Sequence, residues 1–164
     1  MKSKGFTLIE LIVTIAIIGI CVFLVSLSVS TIFSSEAKKC AYDIDALLSQ
    51  TKLSAMSKED GVYLWLTCTD SGDIVANYYE KNGLVSQDTI GGTRCSVFYT
   101  VNGHDTKLDA TGIYISFHRD TGAFDFSRNG WESGAVCSGI TVVGGSRTYA
   151  LTLVSSTGAH KLEG

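Results

Sequence analysis

The sequence predicts an α+β fold, in which one long N-terminal helix packs on an antiparallel β-sheet domain. Two patterns in the 164 residues indicate this class. Apolar residues form a continuous run at the start and then recur at helical spacing to about residue 60. Beyond it, short segments alternate between apolar and polar residues, as strands do. One helix followed only by strands is typical of a helix laid on an antiparallel sheet.

The first element is an apolar helix that is long enough to cross a membrane. Between Phe6 and Phe33 only Glu10 carries a charge. About 20 apolar residues span the hydrocarbon core of a bilayer. Lys2 and Lys4 precede the run, and their charge favours a cytoplasmic start. We therefore expect a single-pass membrane helix.

Glu10 needs a partner in this setting. A carboxylate inside a membrane helix costs about 2.5 kcal/mol or more. If the chain is cut between Gly5 and Phe6, the new amine on Phe6 lies about one helical turn from Glu10. The amine of a neighbouring copy would then neutralise the buried acid. Without such a cation, burial of the carboxylate would be unfavourable.

These residues carry a resemblance to a known signal. Residues 5–10 read GFTLIE, and with the basic leader and the apolar helix they resemble the class III signal of type IV pilins and type II secretion pseudopilins. The resemblance covers about the first 28 residues. It implies that a prepilin peptidase cuts after Gly5 and methylates Phe6, and that Glu10 guides subunit docking. Many members have a proline where this chain has Leu27, so the proline-linked kink is not implied.

Three other interpretations of the N-terminus stay open. A secretory signal peptide also has a basic start and an apolar core, but no A-x-A-like cleavage site follows this core. Residues 18–21 are similar to a lipoprotein box, although bulky Ile20 precedes Cys21. The third alternative is an uncleaved signal anchor.

Length and net charge limit the number of domains and the class of partner that the rest of the chain can have. About 130 residues follow the apolar run, which suits one domain with its own core. The domain boundaries that we expect are a leader at 1–5, a transmembrane and assembly helix at 6–33, and a globular domain at 34–164. The formal net charge is −3 and no basic tail occurs, so a nucleic-acid partner is not expected.

The helix is expected to continue beyond the apolar run to about residue 60. Apolar and small residues recur there at steps of three and four, which places them on one face. They are Phe33, Ala37, Cys40, Ile44, Leu47, Thr51 and Ala55.

Strands are expected in eight segments, separated by glycine, asparagine and aspartate turns that are typical of hairpins. The segments are 62–67, 74–80, 94–101, 113–118, 123–127, 140–143, 148–154 and 159–162. Residues 84–93, with two adjacent glycines, are predicted to form a loop, and residues 102–105 a turn.

A second resemblance covers about the last fifty residues. They are similar to H-type minor pseudopilins of type II secretion and to their pilus relatives. The resembling segments are patterns of common residue types, namely 115–117, 122–124, 147–153 and 158–162.

Five cysteines are present. Cys21 lies in the apolar run and is expected to act there as a small apolar residue. The four others allow three pairings and have no zinc-site spacing. A disulfide among Cys68, Cys95 and Cys137 suits an exported domain. Cys40 is expected to be a buried free thiol.

No motif of catalysis, phosphate binding or metal binding occurs in the sequence. His104, His118 and His160 are scattered among turns and strand ends. We therefore expect no enzyme activity, no catalytic residue, no metal and no cofactor. Trp131 lies in a loop, where it either packs locally or anchors a partner.

The sequence thus favours a structural subunit of a filament. Its expected partners are other pilins, in a homo- or heteropolymer, the prepilin peptidase, the membrane, and the pilus or secretion assembly machinery. It would lie in the cell membrane before assembly and in an extracellular or periplasmic filament afterwards. A type IV pilus pilin, in a minor or pilus-type role, competes with an H-type pseudopilin and a DNA-uptake pilin.

Overall fold

The chain begins with one long helix. The computed structural model describes residues 7–57 and 61–164, and of residues 25–31 it describes the backbone only. In this part of the chain, α1 runs unbroken over Leu8–Ser57, a length of 50 residues. The apolar run and the amphipathic segment predicted from the sequence are therefore two halves of a single helix.

The strands that follow build two antiparallel sheets of five strands each in the described residues. Sheet 1 has the order β3-β2-β1-β6-β7, and sheet 2 has the order β10-β9-β8-β4-β5. The bounds are β1 Tyr63–Cys68, β2 Ile74–Glu80, β3 Gly83–Gly91, β4 Ser96–Val101, β5 His104–Lys107, β6 Ile113–Phe117, β7 Phe124–Asp125, β8 Cys137–Gly144, β9 Arg147–Val154 and β10 Ala159–Glu163. The α+β class is confirmed, and the second half of α1 packs on both sheets.

One face of α1 is fully enclosed by the sheets. Its small members, Ala37, Cys40 and Ala41, allow the sheets to approach the helix backbone closely. Larger apolar residues fill the space further along the helix. The six residues of this face with no exposed surface are Ala37, Cys40, Ala41, Ile44, Leu48 and Thr51.

The end of β8 touches the helix backbone itself. A Cβ atom at Gly144 would lie 2.6 Å from the Cβ of Ala37 and 2.7 Å from the carbonyl oxygen of Phe33. The hydroxyl of Ser34 donates to the carbonyl oxygen of Gly144 at 3.5 Å. Only glycine fits at this crossing without displacing the helix.

A second contact with α1 comes from the last residue of β3 and the residues that lead to β4, Gly91–Cys95, which we call the docking turn. The carboxylate of Glu36 accepts a hydrogen bond from the backbone N–H of Gly92 at 2.8 Å. The guanidinium of Arg94 lies 3.8 Å from the other oxygen of Glu36. The docking turn is therefore held to α1 by polar contacts as well as by packing.

The inner faces of both sheets complete the core around α1. Fully burying one Leu, Ile or Val side chain stabilises a protein by about 1.5–3 kcal/mol, so this layer supplies much of the cohesion. Its most deeply buried members include Leu64, Leu66, Ile113, Ile115, Ile140, Val142 and Leu151.

The strand predictions are confirmed at all eight segments, with ends that shift by at most three residues, but the loop prediction for residues 84–93 is wrong. Residues Gly83–Gly91 form β3, which pairs with β2 at the edge of sheet 1. Most of its side chains are exposed, so no apolar alternation marks it in the sequence. Its backbone pairs with β2 along its whole length, and this pairing defines the strand.

The predicted turn at residues 102–105 is correct only in its first half. Asn102 and Gly103 have φ values of 51° and 81°, as a tight hairpin turn requires. His104 and Asp105 instead begin β5, whose four residues are all exposed at the edge of sheet 2. The division of the strands into two sheets also differs from the single β-sheet domain that the sequence suggested.

We predict that Leu48→Ala destabilises the domain by about 2–5 kcal/mol, because it opens a cavity in a fully enclosed site. Leu53→Ala is the matched control on the same helix, since Leu53 is 70% exposed. Chemical denaturation of the detergent-solubilised chain measures both free energies of unfolding. Equal losses for the two variants would contradict the enclosed position of Leu48.

We predict that Gly144→Ala costs about 1–3 kcal/mol, because the added methyl group must displace α1. Gly139→Ala, on the same strand, adds a methyl group that meets only a carbonyl oxygen at 3.2 Å. Thermal unfolding should show a larger loss for Gly144→Ala than for Gly139→Ala. The reverse order would show that the helix does not rest on Gly144.

Candidate functional site

The first half of α1 carries apolar side chains that nothing in the described chain covers. Residues 8–24, which we call the apolar segment, include twelve large apolar side chains with exposed fractions from 51% at Val13 to 75% at Leu8. They point to every side of the helix. An apolar surface of this extent marks an interaction site. It therefore needs lipid or other protein chains around it.

Thr7 caps the first turn of α1. The backbone N–H of Glu10 donates to the carbonyl oxygen of Thr7 at 3.1 Å and to its hydroxyl at 3.3 Å. Threonine followed by glutamate three residues later is the spacing of a capping box. A carboxylate in the first turn is also favoured by the helix dipole. Part of the role of Glu10 is therefore local, in starting α1.

The side chain of Glu10 is exposed at the end of the apolar segment. No residue within the described ranges gives its carboxylate a hydrogen bond or an ion pair. Burial of this acid among apolar helices would require a cation beside it. Gly5 and Phe6, at which cleavage and methylation are predicted, lie outside the described residues.

Within residues 7–57 and 61–164, no helix contains an apolar stretch that is long enough for a membrane span. The transmembrane segment expected at residues 6–33 therefore stays a prediction.

All five cysteines belong to the described residues, and all are free thiols. Cys68 is half-buried at the end of β1, and Cys21 is exposed in the apolar segment. Cys137 is enclosed at the start of β8, where burial raises the pKa of its thiol to about 11. The disulfide predicted among Cys68, Cys95 and Cys137 stays a prediction. Cys40 is buried, as expected, but it lies against Cys95, which the sequence did not indicate.

The histidines do not meet one another. His104 is exposed at the start of β5, His118 is exposed just after the end of β6, and His160 lies on β10, beside α1. The Nε2 atom of His160 is 3.0 Å from the hydroxyl of Ser49 and 3.6 Å from a carboxylate oxygen of Asp45. Among the described residues, no group of three or more histidine, cysteine, aspartate or glutamate side chains could hold a metal ion.

Trp131 packs locally. Its ring lies 6.1 Å from Tyr99 and 5.8 Å from Phe126, between centroids, and it is half-buried. These contacts account for the side chain without a partner. Its loop was visible in the sequence, but its contact with Tyr99 of β4 depends on the tertiary fold.

A row of aromatic rings on the outer face of sheet 1 was missed by sequence reasoning. Tyr63 and Tyr79 stack at 4.5 Å, and Trp65 and Tyr114 stack at 5.4 Å. The guanidinium of Arg128 lies 4.3 Å from the ring centre of Tyr63. Aromatic residues at alternate positions of β1 were the available signal, but their cross-strand neighbours depend on the register.

A cleft beside α1 was also missed. It has a volume of about 510 Å³ and lies between the helix and strands β9 and β10. Lys38 and Arg147 bring two positive charges to it, and Tyr42 and Tyr149 bring aromatic surface. The sequence could not show that Arg147 lines the same cleft.

Comparison with known proteins gives one match. The prokaryotic N-terminal methylation motif matches residues 1–26. No curated protein and no solved structure matches the chain.

The matched residues include the expected cleavage point and the whole apolar segment. Such a signal implies insertion in the membrane, processing by a prepilin peptidase and polymerisation with other pilins. The exposed apolar segment, which lies within the matched residues, is compatible with this route. In residues 1–26 the chain thus carries the class III prepilin signal of type IV pilins and pseudopilins, and this motif supports a type IV pilin-like or pseudopilin subunit.

Proposed function

We propose that the protein is a structural subunit, a minor or pilus-type pilin, of a type IV pilus-like filament. The chain is inserted in the membrane, cut after Gly5, and methylated on Phe6. The apolar segment then packs against the same segment of neighbouring subunits in the filament core. The two sheets form the outer wall of the filament. The proposed role is structural, without catalysis.

The contrast between the two halves of α1 carries this proposal. Apolar side chains before residue 25 are more than half exposed, whereas the face that contains Ala37 and Ile44 is fully enclosed. Each large apolar side chain contributes about 1.5–3 kcal/mol when it becomes fully buried. Packing of several helices therefore yields a large favourable free energy from the apolar segment. Because α1 is unbroken, the position of that segment also sets the position of the sheets.

Glu10 is proposed to set the register of packing rather than its strength. Apolar surfaces attract one another without a preferred offset along the helix. A buried carboxylate is tolerated only beside a cation. The methylated amine of Phe6 on a neighbouring subunit supplies that cation at one offset. Shifted arrangements leave Glu10 unpaired and are therefore disfavoured.

An H-type pseudopilin of a type II secretion system is the second candidate. It is favoured by the residues of β6, β7, β9 and β10, which resemble that class in the sequence. Deletion of the gene distinguishes the two candidates. Loss of surface pili with normal protein secretion supports the pilin, and loss of secretion with normal pili supports the pseudopilin.

We predict that the mature protein begins at Phe6 with one added methyl group. Intact-mass and N-terminal peptide analysis of protein from the native membrane would measure this. Gly5→Val places a bulky side chain at the cleavage point and should leave residues 1–5 attached. A native N-terminus at Met1, or at a residue beyond the apolar segment, would refute the proposed processing.

We predict that Glu10→Gln leaves the domain folded and inserted but reduces filaments at least tenfold, because the pairing charge is lost while the shape is kept. Thr14→Ala is the control, since the hydroxyl of Thr14 bonds only to the carbonyl oxygen of Leu11 in its own helix. Filaments are counted by electron microscopy, and the membrane pool is measured by immunoblot. Normal filament numbers in Glu10→Gln would exclude the docking role.

A further inference from the structure

Two cysteines that are distant in the sequence meet where the docking turn crosses α1. A Cβ atom built on Gly91 would lie 2.7 Å from the Sγ atom of Cys95 and 3.1 Å from the Sγ atom of Cys40. Both sulfur atoms therefore lie within 3.1 Å of one point. The two thiols are also close enough for each to shift the pKa of the other. The missing side chain of Gly91 leaves the space that both sulfur atoms share.

The surroundings hold these thiols in place. Cys40 has no exposed surface and Cys95 is 5% exposed. The contacts of Glu36 with Gly92 and Arg94 fix the docking turn on the same side of α1 as Cys40. The thiol of Cys95 also donates to the carbonyl oxygen of Gly92 at 3.4 Å. Little movement of either chain segment is needed to bring the two sulfur atoms together.

The two thiols differ in acidity. The neighbouring Cys40 thiol lowers the pKa of Cys95, and the Cys95 thiol together with burial raises the pKa of Cys40. Cys95 is therefore the better nucleophile, because the thiolate is the reactive form. Cys95 also lines a small cavity of about 110 Å³, which Cys68 and Lys107 line as well.

We propose that Cys40 and Cys95 form a disulfide in the exported protein and that this bond staples α1 to the docking turn. The oxidant is an external disulfide, in a protein or a small molecule, outside the cytoplasm. The Cys95 thiolate attacks it and forms a mixed disulfide. Cys40 then loses its proton and attacks the sulfur of Cys95. One S–S bond forms within the chain and the external S–S bond breaks. The two external sulfur atoms leave as thiolates and take up the two protons that Cys95 and Cys40 lose, so that the external disulfide is reduced to two thiols.

This pairing differs from the one that the sequence suggested. Cys137 donates its S–H to the carbonyl oxygen of Gly139 at the start of β8, in sheet 2. Cys68 lies at the end of β1, in sheet 1, and donates to the carbonyl oxygen of Thr69. Cys40 therefore replaces Cys68 and Cys137 as the partner of Cys95.

The staple would act on the connection between helix and sheets. In the proposed filament, force reaches the sheet domain through α1. The contacts near Gly144 and Glu36 are non-covalent and can separate under load. A covalent bond at the same crossing prevents the docking turn from leaving α1. The pairing itself is independent of filament assembly and can be tested on the isolated full-length chain.

Trypsin separates the four relevant cysteines and makes the test direct. Cleavage after lysine and arginine puts Cys40, Cys68, Cys95 and Cys137 in the separate peptides 40–52, 59–81, 95–107 and 129–147. The full-length protein is exported, extracted in detergent with N-ethylmaleimide to cap free thiols, and digested without reductant. We expect a linked species of peptides 40–52 and 95–107 that dithiothreitol separates. Peptides 59–81 and 129–147 should carry the alkyl group.

Two outcomes of the mapping would overturn the proposal. One is a link between peptides 95–107 and 59–81, or between 95–107 and 129–147. The other is full alkylation of Cys40 and Cys95 even after incubation of the protein with oxidised glutathione.

Thermal unfolding with and without reductant tests the stapling role. Reductant should lower the melting temperature of the wild type by roughly 5–15 °C. Cys68→Ala is the matched control and should show the same shift, whereas Cys40→Ala should show none. If Cys40→Ala does not fold, Cys95→Ala serves in its place. An unchanged melting temperature of the oxidised wild type on reduction would refute the staple.

Discussion

The structure depends on the close seating of one helix face against two sheets. Small residues at Ala37, Cys40 and Ala41 let the sheets reach the helix backbone, and glycine at Gly144 removes the side chain that would prevent it. Dense packing of this kind is intolerant of added volume. The helix therefore has one position and one rotation relative to the sheets.

This seating divides α1 into two halves with different tasks. The enclosed half belongs to the core of the domain, and the sheets of the same chain bury its apolar face. The apolar segment, residues 8–24, has no such cover in the described structure. Since both halves belong to one unbroken helix, a contact made by the apolar segment fixes the orientation of the sheets as well. A filament subunit needs this coupling between its assembly surface and its outer domain.

Strands were predicted correctly where the sequence pattern reflects burial of one face. They were missed where only backbone hydrogen bonds to a neighbouring strand define them. Strands with an apolar inner face, such as β1 and β8, showed alternation and were predicted. The edge strands β3 and β5 carry mostly exposed residues, so their sequences resemble loops. Their strand character comes from hydrogen bonds to a neighbour, which no local pattern encodes. The number of sheets was missed for the same reason, because it depends on which strands pair.

The sequence by itself determined the signal in residues 1–26, the length of α1 and the fold class, because these depend on local composition and periodicity. It also marked Glu10 as the one charge in the apolar run. Only the tertiary structure decided that Cys40 meets Cys95 and that Arg147 joins Lys38 at one cleft. Residues far apart in a chain become neighbours through strand pairing and helix rotation, and both are properties of the packed whole.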